Sequence, residues 1–194
     1  MTTTAEASSI IKRRRLVDAA AELFHRQGVA PTTFANVASE AKIALGSVYY
    51  YFNAKDDLVA AVTEARKGGI EALLARLDGS KQPRQRLEGL IDAWVSDRLV
   101  DALYGCPVGS LCFEVARGRG PLGEVAAQPF QVLMSWCERQ FRQLGPSRDA
   151  APHALHLVSA LQGVSLTAAV LADAELITKE GKVLKRWLRS LEPK

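Results

Sequence analysis

Cysteine is scarce in this chain of 194 residues, with three thiols at positions 106, 112 and 137. They are too few and too scattered for a disulfide framework, and an odd number fits a reducing compartment. Long apolar runs are missing too. The best candidate, LVSALQGVSLTAAVLA from Leu157 to Ala172, is interrupted by Gln162, Ser165 and Thr167. A membrane span needs roughly 20 apolar residues, so this stretch reads as a buried helix. The first nine residues are polar and lack the apolar run of a signal peptide. A cytoplasmic protein with no membrane partner is expected. Catalytic patterns are also lacking. VGSLC does not have the G-x-S-x-G spacing of a nucleophile elbow, and RGRGP lacks the lysine and spacing of a P-loop. His153 and His156 are three apart, but no clustered cysteine or acid accompanies them. No enzyme activity, cofactor or metal is expected.

What is present is an ordinary globular balance, 48% hydrophobic and 24% charged, enough for a core without staples. The net charge of +4 is unevenly spread. Up to Lys55, seven basic side chains face four acidic ones, a net of +3, and the rest of the chain carries +1. The densest point is KRRR at 12–15. A basic segment on an otherwise neutral protein suits a polyanion, although a solvated helix face reads the same way.

Periodicity predicts an all-α fold. The first helix, 10–27, places Leu16, Ala20, Leu23 and Phe24 on one face, and Gly28 stops it. Thr33 is placed to cap a short helix from Phe34 to Ala41. A three-residue turn, Lys42–Ala44, leads to a third helix from Leu45 to Phe52. Asn53–Lys55 breaks it, and a long helix from Asp56 to Asp78 follows. Gly68 and Gly69 lie inside that helix, where each costs about 1 kcal/mol relative to alanine, so a bend or weak point is expected. Further helices are expected over 84–104, 110–116, 122–144, from a cap at Asp149 onward, and 175–191. The last two carry more apolar surface than one small domain covers, which points to self-association.

The stretch LGSVYYYFNAKDDL, residues 45–58, poses the functional question. Four consecutive aromatics cannot share one helix face, because neighbours are about 100° apart. Val48 and Phe52 are four apart and suit a small core, with Tyr49 at its edge. Tyr50 and Tyr51 then face outward, where hydroxyls reach phosphate and rings touch thymine methyls. Lys55, at the start of the next helix, is placed to meet a phosphate. Helix, three-residue turn and helix over 33–52 is the spacing of a helix-turn-helix whose second helix enters the major groove. A plain helical hairpin with aromatic packing has the same periodicity.

The stretch TTFANVASEAKIALGSVYYYFNAKDDL resembles the signature of tetracycline-repressor (TetR) family regulators. Thr33, Val37, Ala38, Ala41, Ile43, Gly46, Val48, Tyr49, Tyr51, Phe52, Lys55 and Leu58 fall on its positions. The resemblance implies an N-terminal three-helix DNA-binding domain, 1–58, and a C-terminal helical ligand-binding and dimerisation domain, 59–194. It implies that Thr33 caps its helix and binds phosphate. Leu45, Gly46, Ser47 and Tyr49 would approach base edges, and Tyr50, Tyr51 and Lys55 would grip phosphates. Three positions depart from the pattern. The turn glycine is Lys42, which would add a phosphate contact. The serine cap of the recognition helix is Ala44, and the serine before the lysine is Ala54. A lost cap costs about 1 kcal/mol, so Asn53 or the chain itself is expected to compensate.

The run YGCPVGSLCFEVA, 104–116, resembles the effector domain of a TetR subgroup typified by the LmrA/YxaF regulators. This implies double-stranded operator DNA and a small-molecule effector as partners, with a homodimer built from the last two helices. The pocket candidates are Trp94, Leu103, Cys106, Phe113, Phe130, Met134, Cys137 and Phe141, with Glu114 as the lone acid placed to orient a ligand. Gln162 on the apolar helix is a further candidate. Each is equally at home as a core residue. The expected protein is a ligand-released repressor on a palindromic operator. A thiol sensor using Cys106 and Cys112 is one alternative, and a ligand carrier or enzyme with a vestigial helix-turn-helix is another.

Overall fold

The computed structural model describes residues 4–80, 82–118, 120–144 and 147–191. The described residues form ten α-helices and one 3-10 turn, with no strand among them. Two compact units make up the chain. One runs up to Arg66 and takes in Ser110–Ala127; the other comprises Lys67–Gly109 and the residues from Gln128 onward. The units therefore follow the chain less simply than a single cut after residue 58.

In the first unit, α1 spans Thr4–Gln27 and buries Leu16, Val17, Ala20 and Phe24. It stops at Gly28, whose φ of +87° is a left-handed conformation glycine adopts without penalty. Helix α2, Phe34–Ala41, opens on a capping box. The Thr33 hydroxyl accepts the Asn36 N–H at 3.2 Å, and Asn36 Oδ1 accepts the Thr33 N–H at 2.9 Å. Helix α3, Leu45–Tyr51, follows after the turn. Val48 and Phe52 are essentially inaccessible, and Val37, Ala38 and Ala41 are buried on α2, which packs against α3.

Helix α4, Lys55–Leu77, leaves the first unit after Arg66. It runs unbroken through Gly68 and Gly69, where the sequence suggested a bend. Both glycines are exposed, and a Cβ on either would meet nothing within 4 Å. No packing demands a helix break, so backbone hydrogen bonding carries the helix through.

The second unit is a helical bundle. Helix α5, Pro83–Ser96, starts with proline in its first turn, where the missing N–H costs nothing. The expected continuous helix over 84–104 is instead two. Ser96 turns its hydroxyl back to the Ala93 carbonyl at 2.6 Å, and α6, Arg98–Tyr104, begins after Asp97. Local hydroxyl–backbone bonding of this kind competes with helix continuation. Helix α7, Pro107–Arg117, starts three residues earlier than expected, and α8 covers Pro121–Leu144. A 3-10 turn, Ser147–Asp149, precedes α9, Ala150–Leu171. Asp149 stands at the N-terminus of α9 but makes no side-chain capping bond there, contrary to expectation. It lies in the helical region at φ −95°, ψ −6°, whereas a capping side chain needs extended backbone. Helix α10, Glu175–Ser190, is the last of the described helices.

The bundle core joins Leu87, Leu90 and Ile91 of α5, Leu133, Trp136 and Cys137 of α8, Leu157 and Leu161 of α9, and Leu184 and Leu188 of α10. Trp136 donates its indole N–H to Asp78 at 3.0 Å, so the largest buried side chain has its polar atom satisfied. A buried relay crosses the same unit. Trp94 Nε1 donates to Ser165 Oγ at 2.9 Å, and that hydroxyl donates to Asp101 at 2.7 Å. Its polar atoms are joined, as burial requires.

Candidate nucleic-acid interface and internal cavity

The exposed side of the helix-turn-helix is made by what the core rejects. With Val48 and Phe52 buried, Tyr50 is 79% exposed and Tyr49 57% exposed. Leu45 is exposed beside them, and Gly46 opens a bare stretch of backbone with nothing within 4 Å of a would-be Cβ. Tyr49 is steadied by the Phe34 ring, edge-on at 5.2 Å, and Tyr50 by Tyr51 at 5.0 Å. Thr33 and Lys42 are exposed and Ser47 is half-buried. Leu45, Gly46, Tyr49 and Tyr50 thus share a surface that carries hydroxyls, apolar groups and no acid.

Two expected phosphate contacts are already engaged. Tyr51 is half-buried, with its hydroxyl 3.1 Å from Ser9 Oγ of α1. Lys55 donates through Nζ to the Ala30 carbonyl at 2.9 Å. Both brace the domain in this state rather than standing free. The same holds for part of the KRRR run. Arg15 donates to the Ala41 carbonyl at 2.6 Å, where the C-terminal end of α2 favours a cation. The Arg13 guanidinium lies 5.3 Å from the Phe52 ring centroid. Arg14 stays exposed beside Asp18. Sequence reading missed these two arginine roles, because basic density does not say which way each guanidinium turns.

The departures from the helix-turn-helix pattern acquire physical outcomes. Lys42 adopts φ 52°, ψ 48°, the left-handed conformation that glycine would hold without strain. Ala44 leaves α3 without a side-chain cap. At the other end, Asp57 rather than Asn53 compensates. Its Oδ2 accepts the N–H groups of Asn53 and Ala54 at 3.1 and 3.0 Å. An acid in the first turn of a helix, three residues after the position that precedes it, is the signal that was available for it. Lys42→Gly and Ala44→Ser are each expected to raise the unfolding free energy by about 0.5–1 kcal/mol. Urea titration of each variant checks this, and a destabilised Ala44→Ser protein would count against the missing cap.

The second unit holds a cavity of about 40 Å³. Its walls include Leu90 and Trp94 of α5, Val108 of α7, Phe130 and Leu133 of α8, and Gln162 of α9. Three expected pocket residues, Trp94, Phe130 and Gln162, therefore line it. Gln162 is its polar group and lies against bare backbone: a Cβ on Gly109 would sit 2.1 Å from its Oε1. Its Nε2 approaches Cys106 Sγ at 3.6 Å, and that sulfur also accepts the Gly109 N–H at 3.4 Å.

The other expected pocket residues lie elsewhere. Leu103 and Phe113 are 68% and 69% exposed. Cys137 and Phe141 belong to the core, Phe141 against the rings of His153 and Trp187, and Met134 packs on that core. Glu114 does not face a ligand space. It accepts two backbone N–H groups from the turn after α1. One helical stripe was expected to be one wall, but α8 is wide enough to serve core and cavity from adjacent stripes. His153 and His156 pack on the Trp187 ring, and no cluster of three metal-ligating side chains occurs among the described residues.

All three cysteines are buried and none is in a disulfide. Burial pushes the Cys137 thiol up to about 12 and raises that of Cys106, with the Asp101 carboxylate adding to the effect at Cys106. Thiolate is the reactive form, so this environment disfavours sensing chemistry. Native protein at pH 8 is expected to leave Cys137 unlabelled by a thiol reagent and to label it only in denaturant. The linkage has a definite sign. The folded value lies above the ordinary 9.0, so the unfolded chain loses the proton first, and stability falls as pH rises from 9 towards 12. Rapid native labelling would overturn this.

Residues 16–62 match the family model described as bacterial regulatory proteins, tetR family. The chain is 23% identical over 185 residues to a helix-turn-helix regulator in the lacX 3' region of Lactococcus lactis, covering 89% of this chain and 91% of that protein. It is 26% identical over 152 residues to the regulator LmrA of Bacillus subtilis, covering 77% and 81%. A TetR-family regulator from Agrobacterium tumefaciens has the same fold, with a TM-score of 0.82 at 20% identity over 92% of this chain and 98% of that one.

Proposed function

We propose that this chain, which belongs to the TetR family of DNA-binding transcriptional regulators and is not an enzyme, acts as a homodimeric repressor released by a small molecule. The observation that carries the reading is the surface of α3. Its rear is locked by Val48 and Phe52, and its front presents Gly46, Tyr49 and Tyr50 without an acidic side chain. Such a surface reads thymine methyls and phosphates rather than guanine edges, so much of its specificity comes from DNA shape. Two copies would address half-sites about one helical turn apart on a near-palindromic operator, in the cytoplasm.

The second copy is expected on α9 and α10. Leu155, Leu166 and Val170 are exposed along α9, and Val183 is exposed on α10. Exposed apolar side chains repeating at 155, 166 and 170 form one stripe, a pattern that favours a helical partner. The effector is expected at the cavity around Trp94, Phe130 and Gln162. At about 40 Å³ the space takes little more than a water, so an effector must part the walls. That requirement supplies the difference in affinity between two states on which release depends.

Selecting bound duplexes from a random pool tests the reading. The expected product is a sequence with two inverted halves. Recovery of no enriched duplex, or of enriched duplexes without inverted halves, would remove the proposal.

A further inference from the structure

Two backbone N–H groups in the turn after α1 converge on a side chain more than eighty residues away. Val29 donates to Glu114 Oε2 at 2.9 Å and Ala30 to Glu114 Oε1 at 2.8 Å. Both carboxylate oxygens are used, one per amide, which fixes direction as well as distance. The turn is shaped to receive them. Gly28, with its φ of +87°, would put a Cβ 3.2 Å from Oε2. Successive amides beside a left-handed residue form a concave anion-binding nest. Other bonds tighten the same five residues. Lys55 Nζ donates to the Ala30 carbonyl, and Thr32 Oγ1 donates to the Gly28 carbonyl at 2.7 Å. The next residue in the chain is Thr33, the cap of α2.

We propose that Glu114 is a positioning residue for DNA binding. Its carboxylate holds the turn 28–32 closed and so sets where Thr33 and α2 begin. This rests on the DNA-binding reading of α3 above. Without the carboxylate, the Val29 and Ala30 amides turn to water, and the path from α1 to α2 loses its outside support. α3 inherits the error, since α3 packs against α2 and Val37 and Val48 are buried on the two helices. Glu114 stands on α7, a helix whose first turn also supplies Val108 to the cavity wall. One helix therefore contributes both to the cavity and to the hold on the DNA-reading domain.

The test uses the full chain and a duplex recovered by selection, with E114A and E114Q beside the parent. E114A is expected to keep its helix content and its mass in solution. Its affinity for the duplex is expected to fall about tenfold, and amide exchange at Val29 and Ala30 to speed up by a similar factor. E114Q, whose amide oxygen still accepts one N–H, is expected to fall between the two. Affinity of E114A within about twofold of the parent would overturn the proposal, as would E114Q as weak as E114A. Should E114A not fold, parent-like affinity of E114Q would overturn it alone. A parent protein that binds no duplex would instead overturn the DNA-binding reading, which separates the two failures.

Discussion

Gly46→Leu is expected to abolish operator binding, by more than about a hundredfold, while leaving the protein as stable as before or slightly more so. The two effects have opposite physical origins. In the free chain Gly46 lies in the first turn of α3, and an added Cβ meets nothing within 4 Å. Leucine relieves the entropic penalty of a helical glycine, worth about 0.5–1 kcal/mol. On the proposed DNA-binding reading the same position brings bare backbone to the duplex, flanked by Leu45 and followed one turn later by Tyr49 and Tyr50. A four-carbon side chain there holds the helix off the groove and removes its neighbours' contacts together. A 100-fold loss corresponds to about 2.7 kcal/mol, within what two or three lost base and phosphate contacts supply. Thermal melts and fluorescence anisotropy on the selected duplex measure the two effects separately. Unchanged anisotropy titrations would mean that α3 does not enter DNA by this face.

The joint substitution Leu166→Asp and Val170→Asp should yield monomers with intact helices and operator affinity reduced by a hundredfold or more. Leu166 and Val170 are 66% and 75% exposed, one helical turn apart on α9. An apolar side chain removed from water at a subunit interface contributes about 1.5–3 kcal/mol, and aspartate replaces that gain with the cost of burying charge. The DNA effect follows from geometry. A monomer offers one recognition helix, so it forfeits the effective concentration that a linked second site provides, a factor of about 10²–10⁴. Neither residue belongs to the bundle core, so helix content should be unchanged. Light scattering gives the mass and anisotropy the affinity. A variant that stays dimeric would move the interface away from this stripe of α9.

Most helices and the exposed face of α3 were legible in the residue order because both are local consequences. The helix ends at Gln27 and Leu144 followed from the glycine after each, and the start of α2 at Phe34 from the capping threonine. The outward turn of Tyr50 followed from the 100° step once Val48 and Phe52 were given to the core. Where hydroxyls bonded to nearby backbone, as at Ser96, the reading ran two helices into one, because local polar competition leaves no mark in apolar periodicity.

What the order of residues could not decide was which partner each polar or aromatic group would find across the chain. Arg13 and Arg15 look alike in KRRR, yet one lies over Phe52 and the other caps the Ala41 carbonyl. Glu114 looked like a ligand's counter-charge and is a support for the turn at Val29 and Ala30. Phe113 and Phe141 look equally suited to a pocket, yet one is exposed and the other belongs to the core. Residue order alone determined the all-helical class, the helix-turn-helix and the outward Tyr50, because each depends on spacings of a few residues. Tertiary structure alone decided the Glu114 hold, the engaged Lys55 and Tyr51, and the small apolar cavity, because each depends on contacts between residues far apart in the chain that no short-range pattern encodes.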